Sequence, residues 1–172
     1  MTAQRRSKEK CKMKLTRICV LILALVMCCT MFTACGGSDL DTGVFTVEAS
    51  GDWNIKKRTL DGSERDDQVY VIKDGEDANS YANLLICYYK EPSDYKDERS
   101  FYKDAKDASP IEAGDRKWEG YTYSLFGSSE ACFTAKEGSG LWVCKFTLDT
   151  AGSKISVGDD DVKDILASLK LD

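Results

Sequence analysis

Apolar residues follow three different rhythms along this chain. From Ile18 to Phe32 they are nearly continuous, in the run "ICVLILALVMCCTMF". From Val44 to Leu148 they come in short bursts, several of them alternating with polar residues, which is the period of a half-buried strand. Near the C-terminus Val162, Ile165, Leu166 and Leu169 fall at i, i+3, i+4 and i+7, the stripe of an amphipathic helix.

The middle region resolves into elements. "VFTVEA" (44–49) reads as a strand, and "SGDW" (50–53) as a turn leading into "WNIKKRTL". "SERDDQ" (63–68) reads as a solvated loop, and "QVYVIK" (68–73) as a strand stopped by Asp74 and Gly75. "NLLICYYK" (83–90) is almost uninterrupted in its apolarity, so it predicts a strand buried on both faces, with a covering layer on each. "DERSFYKDAKDA" (97–108) places Phe101, Ala105 and Ala108 at helical spacing and predicts a short helix ending near Pro110. Three further strands follow at 117–126, 130–136 and 141–148, the last two joined by the hairpin signal "EGSG" (137–140). "DDDVKDILASLK" (159–170) is the closing helix, with acids at its positive end. The expected fold class is α+β: a mainly antiparallel sheet of about six strands with helices packed on it.

The hairpin register bears on the cysteines. Pairing across "EGSG" sets Phe133 opposite Cys144, so Ala131, Phe133 and Ala135 share a face with Trp142, Cys144 and Phe146. A Cys132–Cys144 disulfide would need a one-residue slip that turns Phe133 away from Trp142 and Phe146, so burial argues against it. Cys87 and Cys144 read as core thiols.

Charge separates the chain into two parts. The first 17 residues carry seven cations against one acid, and residues 18–34 carry no charge. The whole chain has a formal net charge of −5, whereas residues 35–172 alone carry −11, which disfavours phosphate backbones and hence nucleic acid as a partner. A basic segment followed by a 15-residue apolar core, short of a bilayer span, has the layout of an export signal. Its end, Phe32, Thr33, Ala34 and Cys35, resembles the lipobox of bacterial lipoproteins: an apolar residue, two small ones and the modified cysteine. The resemblance implies cleavage before Cys35 and a diacylglycerol on its sulfur, with membrane lipid as its partner and the body on the extracytoplasmic face of the cell membrane. Cys28 and Cys29 fit that role less well, since bulky or thiol side chains precede them. "MKLTR" at Met13 makes a compact basic segment and is the expected initiator. The expected organisation is a signal over 1–34, a lipidated tether over 35–43 and a domain over 44–172.

The domain itself, through Trp53, "ANLLICYY", "KWEGYTY" and "ILASLK", resembles the PsbP-like fold, which is shared by an extrinsic photosystem II subunit, a Ran-binding nuclear-transport factor and small bacterial lipoproteins. That family is functionally scattered, so the resemblance implies a fold and little chemistry.

Candidate chemistry is sparse. Histidine, the commonest general base and transition-metal ligand, is absent. "GDDDVKD" (158–164) lacks the alternating ligands and mid-loop glycine of a calcium loop, so no metal or cofactor is expected. Trp118, Tyr121 and Tyr123 are either an exposed aromatic platform for a ligand or part of a packed sheet face. The functional expectation is a non-catalytic extracytoplasmic binding or assembly module with a protein or envelope partner. The alternative is a small ligand-capturing lipoprotein of a transport system, and a third reading is an enzyme using paired carboxylates.

Overall fold

The computed structural model describes residues 37–73, 82–150 and 153–172. The lipobox residues Phe32, Thr33, Ala34 and Cys35 and the expected start at Met13 lie outside them. Among the described residues no helix is long and apolar enough to cross a membrane.

Strands dominate. In chain order they are β1 (Gly37–Asp41), β2 (Phe45–Ser50), β3 (Trp53–Leu60), β4 (Ser63–Lys73), β5 (Leu84–Tyr89), β6 (Lys106–Asp107), β7 (Ile111–Ala113), β8 (Arg116–Leu125), β9 (Ser128–Glu137) and β10 (Gly140–Thr147). A single described α-helix, α1 (Asp160–Ser168), precedes the short β11 (Lys170–Leu171). The large sheet runs β3-β4-β5-β10-β9-β8-β6, with β7 also pairing β8, and a small sheet runs β1-β2-β11. Every pairing is antiparallel.

This is a largely all-β architecture, which corrects the expected α+β sandwich. Three segments account for the difference. The expected tether forms β1, pairing Gly37 to Asp41 with Ser50 to Thr46. The expected loop at 63–68 is the first half of β4, zipped to β3 through Leu60↔Ser63, Thr59↔Glu64 and Arg58↔Arg65. The expected helix at 97–108 is an irregular strap containing one 3-10 turn (Arg99–Phe101) and the two-residue β6. A helix there would need Phe101 on its buried stripe, yet Phe101 is 79% exposed. Tyr102 faces the sheet instead, stacked on Tyr123 with ring centroids 3.9 Å apart. One aromatic seat in the tertiary fold thus outweighs a weak helical propensity.

The pleat divides the core in two. On one face of the large sheet, Trp53, Val71, Ile86, Phe133, Trp142 and Phe146 pack against β2 and α1, whose Phe45, Val47, Val162, Ile165 and Leu166 are all buried. Phe45 meets Trp142 edge-on at 5.0 Å. Opposite them, Cys87, Val143, Cys132, Tyr121 and Tyr123 form a smaller cluster covered by Tyr95, Tyr102 and Ala105 of the strap. The double burial expected of 83–90 is met in part: Leu84, Ile86 and Cys87 are buried, Leu85, Tyr88 and Tyr89 are half-buried, and the strap supplies the second cover.

The β9–β10 register is the expected one, with Cys144 opposite Phe133 and Cys132 opposite Lys145. Cys87, Cys132 and Cys144 are free and buried. Gly120, opposite Phe133, is a point of close approach: a Cβ there would overlap the Cys132 carbonyl and lie 2.7 Å from the Phe133 ring. The aromatic ring fills the space that a side chain at 120 would take, which is why the strand tolerates a glycine in its interior.

Candidate functional site

The strap makes a concave region that combines charge with aromatic surface. The chain leaves β5 at Tyr89, turns at Pro92–Asp94 in a 3-10 helix, and returns along β8 through Lys106↔Thr122 and Asp107↔Tyr121. Side-chain bonds tether it to the sheet: Lys145 Nζ donates to Glu98 Oε2 at 2.8 Å, and the Ser124 amide donates to Asp104 Oδ2 at 2.9 Å. Between the strap and the sheet lies a cleft of about 340 Å³ lined by Tyr95, Asp97, Arg99, Asp107, Glu119, Tyr121 and Cys132, among others. A second hollow of about 470 Å³ shares Asp97 and Arg99 and continues past Tyr102 and Ala105.

Arg99 organises the cleft. Its guanidinium lies 5.4 Å from the Tyr121 ring centre and pairs with Asp107 Oδ1 at 2.7 Å. Asp97 Oδ1 accepts from both the Tyr121 hydroxyl and the Arg99 amide at 3.0 Å. Three carboxylates, Asp97, Asp107 and Glu119, thus line the same cleft as Arg99, and of these Asp107 pairs with its guanidinium. The Arg99 and Asp107 side chains are 42% and 85% exposed, so the pair sits at the mouth and opens to water. Lys117 beside Glu119 holds that carboxyl below its ordinary range, so it is anionic at neutral pH.

The floor is neutral. Tyr95 Oη and Cys132 Sγ are 3.4 Å apart. Burial pushes both up, as it does Tyr121, so all three keep their protons at neutral pH. A thiol held in this way is a weak nucleophile.

The structure does not bring the three aromatic candidates together. Trp118 is fully buried on the α1-facing side, while Tyr121 and Tyr123 point to the strap side, where both are nearly buried. Only Tyr121 reaches the cleft, as its inner wall. Asp159, Asp160 and Asp161 diverge as well. Asp159 accepts from the Ser156 amide, Asp160 pairs with Lys163, and Asp161 accepts from Trp53 and Lys73. Asp97, Arg99 and Asp107 were missed because a helical reading of 97–108 spreads them around a cylinder, and Tyr95 because it lies before that segment with no pattern of its own. Pro92 and the seven-residue spacing of Tyr95 and Tyr102 were the available signals of a strap docked by tyrosines.

No protein-family model matches the chain, and no curated protein matches it. Among solved structures it is similar to a protein of Bacteroides thetaiotaomicron VPI-5482, at 15% identity and a TM-score of 0.44. The likeness covers 79% of this chain and 48% of that one, so the chain spans about half the length of the protein it matches. A likeness of that order identifies neither a fold family nor an activity.

Proposed function

We propose that this chain is a lipid-anchored, extracytoplasmic, non-catalytic binding module, and that the strap cleft takes a cationic segment of a protein or envelope partner. The observation that carries the reading is the seat of Arg99. The fold already places a guanidinium there, over the Tyr121 ring and against Asp107, in a cleft that Asp97 and Glu119 also line. A guest arginine or lysine can exchange for that half-exposed side chain without losing the aromatic face or the carboxylates. An acidic body of net charge −11 steers cations toward the cleft. The non-catalytic part of the reading draws on a chain without histidine and on cleft hydroxyl and thiol groups that burial keeps protonated. Anchorage draws on Cys35 after the apolar run.

Titration calorimetry on the detergent-solubilised full chain tests the cleft, with tetra-arginine as probe and tetra-glutamate as control. Saturable binding of tetra-arginine alone is expected, weakened about 3- to 10-fold by Asp107→Asn or Glu119→Gln, equivalent to roughly 1 kcal/mol. Absence of binding, or equal affinity in all three proteins, contradicts the reading. Loss of fatty-acid labelling in Cys35→Ala, but not in Cys28→Ala or Cys29→Ala, tests the anchor.

A further inference from the structure

The turn joining β8 to β9 consists of two residues, Phe126 and Gly127, closed by the pair Leu125↔Ser128. Both have positive φ, 51° and 89°, the conformation that hairpins of this length fill with Asn-Gly or Asp-Gly. The β3–β4 hairpin obeys that rule, with Asp61 at 51° and Gly62 at 78°. Phe126 breaks it: a bulky side chain sits in the left-handed region, and it is fully exposed at 101%. Neither folding nor solubility favours phenylalanine here: the backbone is strained and the ring gains no burial in return.

The topology says where the ring sits. One row of partners crosses the large sheet: Ile55↔Val71↔Leu84↔Phe146↔Ala131↔Thr122. Trp53 lies beyond that row at one side of the sheet, and Phe126 lies beyond it in the same direction at the other. The start of β1 belongs to this end too. Gly37 pairs with Ser50, just before the turn into Trp53, and the Ser38 hydroxyl accepts from the Ile55 amide at 3.3 Å. Phe101, the other strongly exposed aromatic residue, adjoins Tyr102, whose ring stacks on Tyr123 near this same end.

We infer that Phe126 enters the membrane surface, forming with the lipid on Cys35 a two-point attachment that stands the large sheet on the bilayer. The inference rests on the anchorage proposed above. A single residue, Gly36, separates Cys35 from Gly37, and two chain steps reach at most about 7 Å, so a lipidated Cys35 keeps this end at the membrane. The five strand spacings from β3 to β8 set the two points on the order of 24 Å apart, enough to fix an orientation that one flexible tether would not. The net charge of −11 gives no attraction to anionic headgroups, so the contact is apolar and insensitive to salt.

The experiment uses the lipidated full chain in phosphatidylcholine vesicles with phosphatidylcholine brominated on its acyl chains as quencher. Trp53, Trp118 and Trp142 are buried and set a low baseline. Phe126→Trp adds a reporter at the tip, and Leu60→Trp adds one at the β3–β4 hairpin, at the opposite end. The expected result is that brominated lipid removes most of the emission added at 126 and little of that added at 60, equally at low and high salt. A chain that floats with the vesicles while the 126 reporter stays unquenched, or is quenched no more than the 60 reporter, overturns this inference and leaves anchorage intact. A chain that does not float overturns both.

Discussion

Trp53 and Asp161 are 108 residues apart and joined directly: the indole Nε1 donates to Asp161 Oδ2 at 3.0 Å. The same oxygen accepts from Lys73 Nζ at 3.0 Å, and that ammonium lies 5.3 Å from the Trp53 ring centre. One carboxylate thereby ties the start of β3, the end of β4 and the first turn of α1 together. Its position near the helix N-terminus adds a favourable dipole interaction.

Burial pushes the Asp161 carboxyl up, but the hydrogen bonds from Lys73 and Trp53 outweigh it, and the net shift is downward. A depressed folded-state value means that the contribution is present above the unfolded carboxyl range, about 3.9, and lost as pH falls through the lower folded value. Asp161→Asn is therefore expected to cost about 1 kcal/mol at pH 7, discounted for partial exposure. Urea unfolding at pH 7 and pH 3 checks this. The gap between the two proteins should narrow at the lower pH, and a gap unchanged by pH would contradict the assignment.

Gly120→Ala should destabilise by about 1–3 kcal/mol or more, because the new methyl meets backbone carbonyl as well as the Phe133 ring. Adding Phe133→Leu should recover part of that loss by freeing the ring's space, a coupling that thermal unfolding of the double variant would read.

Phe126→Asn should raise stability by about 1 kcal/mol, since asparagine tolerates the left-handed region better than phenylalanine. Chemical denaturation checks the sign, and a fall in stability would show that the ring packs on the domain.

The three domain thiols should resist labelling in the folded state. Burial pushes Cys87 up to about 12 and drives Cys144 well above the ordinary range. Dithionitrobenzoate at pH 8 should modify Cys87, Cys132 and Cys144 only after denaturation, and Cys132 first on partial opening, because it lines the cleft. Prompt modification of Cys144 in the native chain would contradict the core described above.

What was legible in the sequence followed from strong periodicity. Val162, Ile165, Leu166 and Leu169 placed α1, and the alternation of Ala131, Phe133 and Ala135 against Trp142, Cys144 and Phe146 pointed to the register found and argued against a disulfide. Polar strands were not legible. The β1 sequence "GSDLD" and the start of β4, "SERDD", carry almost no apolar signal; partner strands hold them through backbone bonds and pairs such as Lys57–Asp66 at 2.7 Å. Most of the candidate site lay in the strap for a related reason. Tyr102 finds its seat on Tyr123, which is 21 residues further along the chain, and no local pattern encodes that stack.

Hydrogen exchange on the full chain, with and without saturating tetra-arginine, tests the cleft most directly. Added protection is expected over residues 97–107 and 119–122, with the rest of the large sheet unchanged. Protection confined to β1 and β2, or none at a concentration that saturates calorimetric binding, would contradict it.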